Sequence, residues 1–206
     1  MVAAIILLRH GQTDYNAEGR FQGQEDIPLN ALGRSQAEAA AQALSASGID
    51  RIVSSDLRRA HETAEALSAA TGAGLELDAR LREISVGEWQ GRTRDEIAGI
   101  WPEELAAWFS GADMRPPGGE SRRESSARVV TAIRDIVAAA GEDETLAIVA
   151  HGAVLRGAAE ELLGLGREGA GFLGVMANCG YGVLTPRRDT WVLRSWGASS
   201  DPAAVA

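Results

Sequence analysis

Ala3-Ala4-Ile5-Ile6-Leu7-Leu8-Arg9-His10-Gly11 is the stretch that decides the architecture. Its apolar part is far short of the ~20 residues needed to cross a bilayer and has no basic leader, so neither a span nor a signal peptide is predicted. An unbroken apolar run of this length, bounded by polar residues, instead marks a strand buried on both faces, as in a parallel sheet covered by helices above and below. The run ends on a cation, an imidazole and a glycine. Ligands of open α/β sheets bind beyond the carboxyl ends of the strands, which makes Arg9 and His10 the first candidates for chemistry.

Downstream, a polar, glycine-punctuated loop runs to Leu29, and Asn30 is the predicted N-cap of a helix reaching about Ser47 and ended by Gly48. Ile49 to Val53 reads as a second strand. Ser54-Ser55-Asp56 offers caps for a helix from Leu57 to Thr71, closed by Gly72. From Leu75 to Pro117 the periodicity weakens. Thr93-Arg94-Asp95-Glu96 is a capping box for one short helix and Trp101 to Phe109 forms another, so 88–118 is predicted to be a small helical, lid-like insertion over the active site. Ser121-Arg122-Arg123-Glu124 is a second capping box, opening a helix in which Val129, Ile133, Ile136, Val137 and Ala140 keep the helical period. Thr145 to Ala150 is the next buried strand, followed by a helix and by two or three strands between 166 and 196. Strands alternating with helices predict an α/β chain forming one domain over 1–206.

Composition narrows the function. With 206 residues, 45% of them hydrophobic, the chain can build a substantial core, and its net charge of −9 argues against broad binding to nucleic acid or anionic membranes. Any anion site must be a local basic pocket. The single cysteine, Cys179, excludes an internal disulfide framework and predicts a reducing, cytoplasmic home. His10, His61 and His151 do not show the clustered ligand spacing of a metal hydrolase, so no metal and no cofactor are predicted.

Three predicted strands end in groups suited to phosphate: Arg9-His10 after the first, Arg58-Arg59 just past the second, and His151-Gly152 after the third. Each alone is most simply a surface turn. Arg58 and Arg59, however, sit at the helix end where the macrodipole disfavours cations unless an anion lies there too. The three together are much less probable by chance. His61 reads as a pocket-edge or solvent-facing residue, and Trp89, Trp101 and Trp108 as packing residues of the insertion.

Arg9-His10-Gly11 with Thr13 and Asn16, Gly23, Ser54-Ser55-Asp56-Leu57-Arg58-Arg59-Ala60, Thr63-Ala64, Leu81-Arg82-Glu83, Gly87-Glu88-Trp89-Gln90-Gly91, Gly119-Glu120-Ser121 and Ala150-His151-Gly152 occur in the order of the histidine phosphatase (phosphoglycerate mutase-like) superfamily, which the chain resembles along nearly its whole length. The resemblance implies a mostly parallel central sheet with helices on both faces. It implies a phosphomonoesterase working through a phosphohistidine on His10, with Glu83 as general acid and base, and a small phosphorylated metabolite as its partner. On chemical grounds, a neutral His10 needs a carbonyl to hold its tautomer, and that of Gly11 is the candidate. Arg9 and Arg58 would grip the phosphoryl oxygens, with His151 as an imidazolium beside them. Asn16, Gln22, Gly23, Arg59 and Gly152 complete the expected cradle. The rival reading of Glu83 is a surface carboxylate paired with Arg80 or Arg82.

Three alternatives stay open: a cofactor-dependent phosphoglycerate mutase, a broad-specificity phosphatase, and a phosphate-binding protein without catalysis. The short stretch from Trp89 to Gly118, whose basic residues are Arg92, Arg94 and Arg115, favours hydrolysis, because the mutases carry a longer basic insertion there. Gln12 to Asn16, Gln22-Gly23-Gln24 and Gly87 to Gly91 look like the actinobacterial group that acts on glucosyl-3-phosphoglycerate. Gly166 to Gly182 does not match that group. A homodimer is expected only because such relatives commonly dimerise.

Overall fold

The structure, a computed structural model, describes residues 1–165, 172–188 and 190–199. In chain order it contains β1 (Ala4–Arg9), α1 (Asp14–Ala17), α2 (Ala31–Leu44), β2 (Arg51–Ser54), α3 (Arg58–Thr71), β3 (Gly74–Leu77), α4 (Arg94–Ala98), α5 (Pro102–Phe109), α6 (Arg122–Ala138), β4 (Thr145–Ala150), α7 (Gly152–Leu162), β5 (Tyr181–Arg187) and β6 (Thr190–Ala198). The strands form one sheet in the order β3-β2-β4-β1-β5-β6. β1 to β4 run parallel, while β5 is antiparallel to β1 and β6 to β5.

Successive side chains of a strand point to opposite faces, and here both faces are covered. Ile6, Leu8, Ile52, Ala147 and Val149 join Ala37, Ala40, Leu44, Ala60, Ala64 and Leu67 from α2 and α3 in one buried cluster. Ile5, Leu7, Val53, Leu146 and Ile148 face the other way, against Val129, Ile133 and Ile136 of α6 and Val154, Leu155 and Ala158 of α7. This two-sided burial is why β1 and β4 read as unbroken apolar runs.

The predicted caps hold for α2, α4 and α6: Asn30 accepts the Gly33 amide, and Thr93 with Glu96 and Ser121 with Glu124 form complete capping boxes. The cap of α3 differs from expectation. Leu57 is its N-cap, without a side-chain bond, and the Arg58 amide is capped by Asp26 Oδ1 at 2.7 Å. Asp56 is instead engaged by Arg82. Two short elements were not anticipated, α1 inside the first loop and the edge strand β3. Of the strands expected between 166 and 196, β5 and β6 lie there, while 166–171 and 189 fall outside the described residues. The stretch 88–118 holds α4 and α5 and anchors itself through buried Trp89, Ile97, Leu105 and Trp108. Trp89 and Trp108 meet edge to face at 5.8 Å. Among the described residues no helix is long and apolar enough to cross a membrane.

Candidate active site

Strand register builds the site. β1 and β4 are adjacent, parallel and aligned with Arg9 opposite Ala150, so the next residue of each strand, His10 and His151, must emerge side by side. The His10 amide donates to the Ala150 carbonyl at 3.0 Å, and the two rings stand edge to face, 5.1 Å between centroids. β2 lies on the other side of β4 with Ser54 opposite Val149, which delivers Ser55 and the start of α3 to the same rim. A cleft of about 1080 Å³ opens there, lined by Arg9, His10, Asn16, Gln22, Gly23, Arg59, Glu83 and Gly152 among others.

The loop after β1 is clamped before it reaches the cleft. Gly11 crosses Gly33 of α2 so closely that a Cβ on Gly11 would stand 2.3 Å from the Gly33 carbonyl oxygen, and one on Gly33 only 2.0 Å from that of Gln12. Only glycine allows this approach. The Gly11 amide donates to Thr63 Oγ1, and the Gln12 amide to Gln36 Oε1.

His10 is buried, and its Nδ1 lies 2.7 Å from the Gly11 carbonyl. A carbonyl can only accept, so Nδ1 carries the proton and Nε2 keeps its lone pair. Burial, reinforced by the charges of Arg59 and Arg9, holds the pKa of His10 well below the usual histidine value, with the Gly11 bond acting weakly the other way. The ring is therefore a neutral base at pH 7, with the tautomer expected from sequence.

His151 departs from expectation. Arg59 Nε, necessarily a donor, points at His151 Nδ1 at 3.2 Å, which leaves the ring hydrogen on Nε2, 2.9 Å from Ser55 Oγ. Burial first, then the charges of Arg59, His10, Arg9 and Arg128, hold its pKa well below the ordinary value. His151 is thus a neutral imidazole rather than an imidazolium.

The basic pair is resolved in favour of its second member. Arg59 is fully buried. Its Nη1 and Nη2 donate to the carbonyls of Glu25 (2.7 Å) and Gly23 (2.8 Å), and burial draws its pKa down to about 10. With Nε on His151, two of its five N–H groups remain for a ligand. Arg58 is exposed and does not line the cleft, which corrects the expectation that it would grip phosphate. Arg9 donates through Nη1 to the Met176 carbonyl, while its buried Nε has no hydrogen-bond partner among the described residues.

Glu83 is not a surface ion pair. Arg80 binds Asp78 and Asp135, and Arg82 binds Asp56. The Glu83 carboxylate accepts the amides of Ile84 (2.9 Å), Ala153 and Val154 (both 3.2 Å), the last two from the first turn of α7. Arg128 braces the same loop by donating to the carbonyls of Arg80, Arg82 and Glu83 while paired with Glu120. His61 pairs with Glu65 one turn along α3 and does not line the cleft. Among the described residues no group of three His, Cys, Asp or Glu side chains is placed to hold a metal ion.

A family model, that of the histidine phosphatase superfamily (branch 1), matches residues 5–199. The chain belongs to the histidine phosphatase superfamily. Its six-stranded sheet flanked by helices is the phosphoglycerate mutase-like fold of that superfamily. It is 40% identical to a glucosyl-3-phosphoglycerate phosphatase of Mycolicibacterium vanbaalenii over 98% of this chain and 97% of that one. It is also 40% identical to one of Mycobacterium tuberculosis over 95% of each. Among solved structures, a mycobacterial glucosyl-3-phosphoglycerate phosphatase in complex with VO3 superposes with a TM-score of 0.90 at 41% identity, covering 96% of this chain and all of the other.

Sequence reasoning quoted Thr13 in the motif of this histidine phosphatase site without giving it a role, and missed Asn178 altogether. Thr13 caps α1 and donates to Gln22 Oε1, which orders Asn16 and Gln22 on the cleft wall. Asn178 donates to the His10 carbonyl and to Asn16 Oδ1. Nothing in the pattern around Asn178 announced it, because it arrives on an irregular segment whose place depends on the tertiary fold.

Proposed function

We propose that this chain hydrolyses a phosphate monoester through a phosphohistidine on His10, and that its substrate is glucosyl-3-phosphoglycerate. The observation that carries the reaction is His10 itself: buried, neutral, with Nδ1 committed to Gly11 and Nε2 available beside Arg9 and Arg59. Nε2 attacks phosphorus as the bond to the leaving oxygen breaks. Glu83, the general acid, in its carboxylic acid form passes its proton to the departing alkoxide. Water then gives a proton to Glu83 and attacks the phosphohistidine, releasing phosphate and restoring neutral His10. Arg9 and Arg59 hold the equatorial oxygens through their remaining N–H groups, and Asn16 and Gln22 flank them. Identity near 40% over almost the whole chain to phosphatases named for glucosyl-3-phosphoglycerate supports the substrate.

Cytoplasmic location belongs to this reading and rests on Cys179, which is buried, unpaired and pushed up to about 12. A homodimer belongs to it as well, to be checked by solution mass. The test is phosphate release from glucosyl-3-phosphoglycerate, 3-phosphoglycerate and sugar phosphates, ranked by kcat/KM, in EDTA, with His10→Ala as control. Glucosyl-3-phosphoglycerate is expected to rank first, with no turnover by His10→Ala. Conversion of 3-phosphoglycerate to its 2-phospho isomer without phosphate release would establish the mutase alternative, and loss of wild-type turnover in EDTA would refute the metal-free mechanism.

A further inference from the structure

The cleft extends well past the side chains around His10, along a wall made by α6 and α7. These helices approach closely at Gly157, where an added Cβ would stand 2.2 Å from Ser126 Oγ. Three guanidinium groups, those of Arg122, Arg123 and Arg156, line the wall together with the carboxylate of Glu160. Arg122 lies in the first turn of α6, and Arg156 stands four residues after Gly152 on α7. The i, i+4 spacing puts Arg156 on the same helix face as the glycine that abuts Arg9, about 6 Å further along the axis.

The pair of Arg122 and Arg156 is unusual for what it lacks. Arg122 sits across the Trp108 ring at 4.0 Å, at the helix end whose dipole opposes a cation. Its pKa is lowered, first by burial and then by the charge of Arg156, so the two cations feel each other. Neighbouring Arg115, Arg123 and Arg128 are each paired with an acid, Glu124, Asp113 and Glu120. Among the described residues, neither Arg122 nor Arg156 has such a partner, and the buried Nε of Arg156 has no hydrogen bond at all. Two adjacent cations and an unused buried donor on a cleft wall are costly unless an anion joins them.

The phosphoryl group already has Arg9 and Arg59, so this anion is a different part of the same molecule. Along α7 about 6 Å of helix axis separates Gly152, which abuts Arg9, from Arg156, a step comparable with the length of a three-carbon acid phosphorylated at its far end. The geometry points to Arg122 and Arg156 as an anion subsite that selects phosphomonoesters whose alcohol half carries a carboxylate. A guanidinium fork matches a carboxylate in bidentate fashion. The inference rests on the phosphatase reading above and adds the residues that choose the substrate.

The test compares 3-phosphoglycerate with glycerol 3-phosphate, which differ by the carboxylate, on wild type, Arg156→Met, Arg156→Lys and Arg122→Gln. The wild type is expected to prefer the acid, and Arg156→Met to lower the ratio of the two kcat/KM values about tenfold or more through KM for the acid, with Arg156→Lys recovering part of it. A wild type without preference, or a ratio left intact by all three variants, overturns the subsite while the phosphatase reading stands. If the wild type releases phosphate from no ester, the phosphatase reading fails, and the subsite is judged by titration calorimetry of both compounds. Arg156→Met must then weaken binding of the acid about tenfold relative to glycerol 3-phosphate, and equal changes overturn it.

Discussion

Arg58 and Arg59 are chemically identical neighbours, and the helix separates their fates. Consecutive residues of an α-helix point about 100° apart, so one guanidinium of an adjacent pair turns inward and the other outward. The inward one, Arg59, spends three donors on His151 and on the carbonyls of Gly23 and Glu25, and so organises the cleft as well as facing it. Arg59→Ala removes the proposed phosphoryl donor and strands both carbonyls, and is expected to lower kcat/KM by roughly 10²–10³ or more. Arg58→Ala removes an exposed side chain and is expected to leave kcat/KM within about threefold, because surface changes away from such features are small. Steady-state phosphate release by the two variants, with thermal melts to monitor folding, decides the assignment. Equal losses would return Arg58 to the site.

Among the elements, the contact of the β1–α1 loop with α2 places His10, the proposed nucleophile. Helix propensity alone favours alanine over glycine by about 1 kcal/mol, so Gly33→Ala would stabilise α2 if nothing stood in the way. A Cβ there would meet the Gln12 carbonyl oxygen at 2.0 Å and its nitrogen at 2.7 Å, both backbone atoms that cannot turn aside. Overpacking costs about 1–3 kcal/mol, and the loop carrying His10 is what must move. Gly33→Ala is therefore expected to lower Tm by several degrees and kcat together, measured by calorimetry and phosphate release. A raised Tm would show that the loop yields cheaply. The same contrast explains which elements were legible from sequence. β1 and β4 announce themselves by unbroken apolar runs, and α4 and α6 by caps that are local side-chain chemistry. β3 is a short edge strand, mostly exposed, held by pairing with β2 rather than by its own pattern, and α1 is a single turn inside a polar loop.

At the scale of the whole molecule, the convergence of distant residues was legible as a count of strand ends and through the family resemblance; that they meet follows from β1 and β4 being neighbours in register, a tertiary fact. What sequence could not supply was the electrostatic consequence of packing both imidazoles with Arg59 and Arg9 in one buried place. Both histidines titrate well below their ordinary value, through burial first and these cations next. Near pH 6.5 and below, the unfolded chain takes up a proton at each, while the folded chain does not. The unfolded state then binds more protons, so stability falls as pH falls, beginning at the unfolded value and continuing toward the depressed folded ones. Two such groups remove about 2–3 kcal/mol between pH 7 and pH 5.5. Carboxylates whose folded pKa is also lowered, such as Asp56 and Asp78, contribute their loss only nearer pH 4. Urea unfolding in phosphate-free buffers at pH 7.0, 6.0 and 5.5 is expected to show this decline, and His10→Gln to lose about half of it. A stability independent of pH across that interval would mean that the folded site protonates its histidines as readily as water does, and that His10 is not held in its neutral form.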